Sequence, residues 1–307
     1  MDSRKTLDSA SISLMVVLCL IWGLTQVVLK MAAADITPLM QIALRSGIAA
    51  VLVGLLMLAR KERLAIADGT WRPGLLVGGL FGLEFLLVGE GLRLTTASHM
   101  AVFLYTAPIF AALGLHWLMP SERLGKLQWA GIGLAFCGIA ITFLARDNGR
   151  PDIDAADLLL GDLLAVAAGV AWGATTVAVR CSKLARVSAA QTLLYQLAIA
   201  FVLLIVATVF LNQTTIRWTG IAWTSLLFQS VVVCFASYLA WFWLLRHYMA
   251  SQLGVFSFLT PLFGVAFGVW LLNDPLELSF IVGAVLVLIG IVMVSGHAWI
   301  KAQITRK

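Results

Sequence analysis

Apolar residues in this chain come in blocks of about 20, each closed by a few polar residues, and ten such blocks follow one another. They cover residues 12–31, 38–59, 74–94, 97–119, 127–145, 158–180, 188–211, 219–245, 250–272 and 278–297. A helix rises about 1.5 Å per residue, so roughly 20 residues cross a hydrocarbon layer of about 30 Å. The blocks therefore have membrane length. Apolar residues run through them without period-2 alternation, which predicts helices in place of the strands of a transmembrane barrel.

Composition agrees with lipid as the solvent. Of 307 residues 61% are apolar and 12% charged, with a mean hydropathy of +0.99. Soluble domains average about 45–50% apolar and about 25% charged, so this chain lacks the charge to cover a globular surface in water. Fifteen of the 21 Lys and Arg fall at block ends on the side of the N-terminus. Five fall on the other side (Lys30, Arg93, Arg146, Arg150 and Arg217), and Arg45 lies inside a block. Basic residues accumulate on the cytoplasmic side of a membrane, so both termini are expected in the cytoplasm of a multi-pass inner-membrane protein. The net charge of +6 is then a topological signature. With no basic patch interleaved with aromatics, no nucleic-acid partner is expected. Residues 1–11 are too short and polar for a cleavable leader.

An internal repeat organises the blocks. Trp22-Gly23 recurs as Trp172-Gly173 at an offset of 150, which also carries Lys30 onto Arg180 and Gln41 onto Gln191. Ala97-Ser98, Pro108 and Trp117 recur as Ala250-Ser251, Pro261 and Trp270 at an offset of 153; Glu122, Gly131 and Gly138 recur as Asp274, Gly283 and Gly290 at 152. Each repeat holds five blocks, an odd number, so the second enters the membrane from the opposite side. The expected fold is all-α and integral to the membrane, with ten transmembrane helices in two inverted repeats. The expected divisions are an N-terminal segment 1–11, repeat one 12–145, a linker 146–157, repeat two 158–298 and a basic tail 299–307. Inverted repeats suit a transporter whose site lies between the halves and opens to each side in turn; a duplication that only builds a stable bundle is the alternative.

Polar residues inside the blocks mark candidate chemistry. A charge at the centre of a membrane helix costs about 2.5–3.5 kcal/mol on insertion scales and usually faces a cavity or a partner. Arg45 and Glu90 fall at similar depth and form a candidate ion pair, or simply bond helices together. Glu84 is deeper and turned to another face, suited to a substrate ammonium or a proton. Trp22 and Trp172 sit at mid-helix, and Tyr105, Tyr195, Tyr238, Gln41 and Gln191 add polar groups at membrane depth. Together these are a candidate cavity lining, with core packing as the alternative for each. His99 opens the fourth block, where it is either a titrating coupling group or a solvated helix end. Pro108 and Pro261 lie midway along the fourth and ninth blocks, remove the donors for the carbonyls of Leu104 and Ser257, and predict kinks that are either hinges or static. Gly78 and Gly82 have the small-xxx-small spacing of close helix packing. Cys19, Cys137, Cys181 and Cys234 have no metal-ligand spacing and read as small core residues.

No phosphate cradle, H-E-x-x-H or G-x-S-x-G is present, and the four His lie at different depths. Neither a cofactor, a metal nor an enzyme activity is expected. Ile21-Trp22-Gly23, Tyr105-x-x-Pro108 with its echo Leu259-Thr260-Pro261, and Glu122 ahead of Gly131 and Gly138 resemble the EamA branch of the drug/metabolite transporter superfamily. Within it the chain is most similar to the YddG-type aromatic amino-acid exporters. The resemblance covers essentially the whole chain. It implies a central cavity walled by the first four helices of each repeat, with export of aromatic and large apolar amino acids by alternating access, as monomer or homodimer in the lipid bilayer. The second repeat departs from the pattern where Asp274 is followed by Pro275. Export of other metabolites or cationic drugs on the same fold is the nearest alternative, followed by a membrane-embedded enzyme and a structural or receptor-like subunit.

Overall fold

A computed structural model describes residues 8–62, 69–120, 123–144, 154–248, 253 and 256–304. These residues are mostly helical and contain no strand; isolated bridge positions are Ile36, paired with Ile216, and Tyr248. The helices are α1 (Ser9–Met31), α2 (Pro38–Ala59), α3 (Trp71–Leu94), α4 (Ala97–Leu104), α5 (Ala107–Leu118), α6 (Lys126–Leu144), α7 (Ala155–Arg180), α8 (Ala189–Phe210), α9 (Gly220–Leu227), α10 (Tyr238–His247), α11 (Leu259–Leu272) and α12 (Leu278–Ile304). The polar punctuation between the apolar blocks caps these helices. Asp8, Thr37, Thr96, Asp154, Ser188 and Thr219 each accept a hydrogen bond from a backbone N–H of the first turn that would otherwise lack a partner.

Seven helical stretches among the described residues are long and apolar enough to cross a membrane, and three more, Lys126–Thr142, Leu259–Leu272 and Leu278–Val294, are apolar and shorter. Their outward faces carry side chains such as Leu58, Phe210 and Leu278, each at least three-quarters exposed. Such a surface is stable only against hydrocarbon, and the chain is a multi-pass membrane protein.

Contacts between equivalent positions define the symmetry. Gly131 of α6 lies on Gly290 of α12, and Gly138 on Gly283. The repeat offset exchanges the two contacts, so α6 and α12 cross antiparallel about a pseudo-twofold axis. A Cβ at Gly131 would meet the Gly290 carbonyl oxygen at 2.8 Å, and one at Gly138 would meet that of Gly283 at 2.5 Å; no larger residue allows this approach. Elsewhere Gly23 packs on Phe263 and Gly264 of α11, and its equivalent Gly173 on Phe110 and Ala111 of α5.

The fourth block departs from a single kinked helix. It stops at Leu104, turns through Tyr105 and Thr106, and restarts as α5 with Pro108 in its first turn. Proline is well tolerated there because the first helical N–H groups have no intrahelical acceptor. Residues 257 and 258 turn in the same way before α11, which carries Pro261. Each proline thus follows a break. The eighth block is also interrupted: Phe228–Ser237, between α9 and α10, winds as a π-helix.

Of the cysteines, Cys19 and Cys234 are buried as expected of core residues, whereas Cys137 and Cys181 are exposed. Cys181 is the C-cap residue that follows α7.

Candidate functional site

Arg45 of α2 is 1% exposed and Glu84 of α3 is 4% exposed. Burying one charge costs several kcal/mol, so both need compensation. Arg45 donates from Nη1 to Gln229 Oε1 in the π-helix, and its guanidinium lies 4.5 Å from the centre of the Phe85 ring. Gln229 in turn donates to the Thr25 carbonyl of α1 at 2.9 Å. One buried amide therefore joins three helices, α2, the π-helix and α1. Glu84 lies within the electrostatic reach of Arg45, Tyr105 and Tyr238, yet no direct ion pair joins it to Arg45. Arg45 Nε and Glu84 Oε2 are both buried without a hydrogen-bond partner. A donor and an acceptor of opposite charge thus stand unsatisfied in one region.

Aromatic groups surround this pair. Trp22 donates from Nε1 to Ser237 Oγ at 2.8 Å and meets Trp241 edge to face at 5.6 Å. Its repeat equivalent, Trp172, meets Tyr105 edge to face at 5.2 Å. Tyr105 sits in the α4–α5 break beside Thr260, whose side chain is buried. Trp22, Tyr105, Trp172 and Tyr238 are all half-buried, as expected of rings that line a space. The charges belong to one repeat alone: the offset sets Arg45 against Tyr195 and Glu84 against the stretch from Cys234 to Ser237.

Other candidates lie apart from this centre. Gln41 is fully committed, donating to the carbonyls of Leu29 and Ile36 and accepting from Ser225 Oγ. Gln191 and Tyr195 gather on Thr70 at the start of α3, with hydrogen bonds of 3.3 and 3.2 Å. Glu90 does not pair with Arg45; it bonds Arg93 at 2.6 Å and accepts from Gln213 at 2.5 Å. Six residues of helix separate Glu84 from Glu90 and turn them to different faces, and only Glu84 looks toward Arg45.

His99 is no solvated helix end. It is 0% exposed, and Nδ1 lies 2.9 Å from Asp162 Oδ2 of α7 while its ring stacks on Phe280 at 4.0 Å. Thr95 Oγ1 donates to the same carboxylate, and the Thr95 carbonyl accepts from Lys30 Nζ of α1. Ser98 donates from N and Oγ to Asp274 Oδ2 at 2.9 and 2.8 Å. This cluster lies at the end of the bundle opposite the N-terminus of α1. On the N-terminal face, Tyr248 donates to Asp8 at 3.1 Å. Hydrogen bonds from Ser11 hold the Asp8 carboxyl below the usual carboxylate range.

Gln229 and Asp162 are the polar residues that sequence reasoning passed over. Asp162 carried a readable signal, an acid inside the block 158–180. Gln229 carried none beyond being an amide within a block.

A family model described as the EamA-like transporter family matches residues 9–144 and again 159–296. The "Uncharacterized transporter YvbV" of Bacillus subtilis is 28% identical over 94% of this chain and 92% of its own. The "Probable amino-acid metabolite efflux pump" of Escherichia coli is 27% identical over 92% of this chain and 94% of its own. One crystal structure superposes with a TM-score of 0.64 at 20% identity, covering 93% of this chain and 96% of that one; this likeness concerns the fold.

Proposed function

We propose that this chain, which belongs to the EamA-like transporter family, exports zwitterionic amino acids, chiefly aromatic and large apolar ones, across the inner membrane by alternating access. In this reading ten spans leave both termini on one side of the membrane, and the basic bias of the N-terminal face supports the cytoplasm as that side. The reading is carried by the buried Arg45 and Glu84, each with one unpartnered polar atom. A free amino acid has a carboxylate for a guanidinium and an ammonium for a carboxylate. Because the two protein charges cancel, a zwitterion leaves the buried region neutral, whereas a cation or an anion would leave an uncompensated charge. The half-buried rings of Trp22, Tyr105, Trp172 and Tyr238 suit an apolar side chain, and apolar pockets discriminate by only about 1–3 kcal/mol per methylene, so selectivity among such side chains is broad. A relative named as an amino-acid metabolite efflux pump agrees with this substrate class.

Alternating access draws support from the pseudo-twofold repeat and from the two broken helices beside the site, a device that lets backbone near a cavity change partners. The test is flux. Purified protein in liposomes should exchange labelled phenylalanine, tryptophan and leucine, and Glu84→Gln and Arg45→Leu should each cut the rate at least tenfold. No protein-dependent flux of any aromatic or large apolar amino acid would overturn the proposal.

A further inference from the structure

The N-terminal face carries an open vestibule of about 1010 Å³, set between the start of α3, the end of α5 and the end of α7 with its following 3-10 turn, Lys183–Arg186. Its lining joins two chemistries. Arg72, Arg180, Lys183 and Arg186 supply four cations, and Trp71, Pro73, Leu118 and Met119 supply apolar surface. The fold converges these groups. Arg180 is the last residue of α7, and Lys183 and Arg186 stand three apart in a 3-10 turn, where side chains at that spacing project the same way. The Arg72 guanidinium lies 5.2 Å from the centre of the Trp71 ring, which holds it at the level of an interfacial indole. Trp71 and Leu118 are 45% and 63% exposed, so the apolar part of the rim opens outward at the ends of the spans.

A soluble anion has no use for an exposed apolar rim at that level, and an acyl chain has no use for four cations. A phosphate attached to hydrocarbon uses both. We propose that this vestibule binds an anionic phospholipid, with its phosphate among Arg72, Arg180, Lys183 and Arg186 and its chain along Trp71 and Leu118. Arginine forks match phosphate oxygens in pairs, and basic pockets between helices select anionic headgroups. The site is separate from the Arg45–Glu84 region, so it stands or falls independently of the transport reading.

The experiment is native mass spectrometry of the full chain in neutral detergent, offered phosphatidylglycerol or phosphatidylcholine with matched acyl chains. Parent protein should retain phosphatidylglycerol preferentially. Lys183→Gln with Arg186→Gln should weaken that retention by about fivefold per cation removed. Arg60→Gln, on the same face but outside the lining, should change nothing, and Arg72→Gln alone gives a second reading if the double variant folds poorly. Inorganic phosphate and glycerol 3-phosphate at millimolar concentration should not displace the lipid. Equal retention of both lipids, unchanged retention in the vestibule variants or equal loss in Arg60→Gln would overturn the proposal. Displacement by inorganic phosphate would overturn it in favour of a soluble-anion site.

Discussion

The two ends of the bundle meet the same structural problem with different materials. On the face opposite the N-terminus, α7 is held to the α3–α4 corner by Asp162, Thr95 and His99, all fully buried, with Lys30, Ser98 and Asp274 completing the cluster. The repeat offsets place Tyr248 where Thr95 stands and Ile12 where Asp162 stands. On that second face, among the described residues, α1 is held to the end of α10 by the hydrogen bond from Tyr248 to the exposed Asp8. Along their length, too, α3 lies closely on α7, while α1 touches the π-helix and α10 more sparsely. A buried charged hydrogen bond lost on one side costs several kcal/mol, and an exposed neutral-to-charged one far less. The difference is one of burial: the contacts among Asp162, Thr95 and His99 opposite the N-terminus are fully buried, while the described contact at the N-terminal face ends on an exposed carboxylate.

The largest way to break the comparison is Asp162→Leu. It strips His99 and Thr95 of their shared acceptor at a cost of about 3–5 kcal/mol, and amide exchange in residues 95–104 and 158–166 should accelerate by more than tenfold. Parent-like exchange there would mean the cluster does not hold α7 to the α3–α4 corner. Next comes Gly161→Val, whose side chain would meet the Thr95 backbone nitrogen, already 2.7 Å from an added Cβ. Overpacking of this kind costs about 1–3 kcal/mol, so the same peptides should exchange faster while those of α1 and α10 hold their rates. Tyr248→Phe should do little, about 0.5–1.5 kcal/mol at most, read as a severalfold or smaller rise in exchange at residues 8–15. Smallest is the effect of pH on that contact. A carboxyl held below its ordinary value of about 3.9 contributes stability above that value and loses it only as pH falls through the lowered one. Exchange at residues 8–15, corrected for intrinsic rate, should therefore stay flat from pH 8 to pH 5, and a step within that range would show another group in control.

The helices and their duplication were readable from sequence; the contrast between the two ends was not. Block length, caps and the Trp-Gly, Pro and Gly landmarks specify helices and their duplication because each is a local pattern. The depth of Arg45 and Glu84 follows from counting residues along a helix. Which partner each finds does not: Gln229 is 184 positions from Arg45, and the π-helix that presents it has no distinct composition. His99 reads as a helix end because the burial of α4 against α7, α11 and α12 is a tertiary event. Asp162 was obscured by Asp147, Asp152, Asp154 and Asp157 before it, which fall in the 146–157 linker, although its place inside an apolar block was visible.

The central claim is that a zwitterion completes the Arg45–Glu84 pair, and competition in liposomes tests it most directly. With labelled tryptophan as the transported species, unlabelled tryptophan should compete strongly, while tryptamine, lacking the carboxylate, and indole-3-propionate, lacking the ammonium, should each compete at least tenfold more weakly. Tryptamine competing as well as tryptophan would contradict the account and assign the site to organic cations.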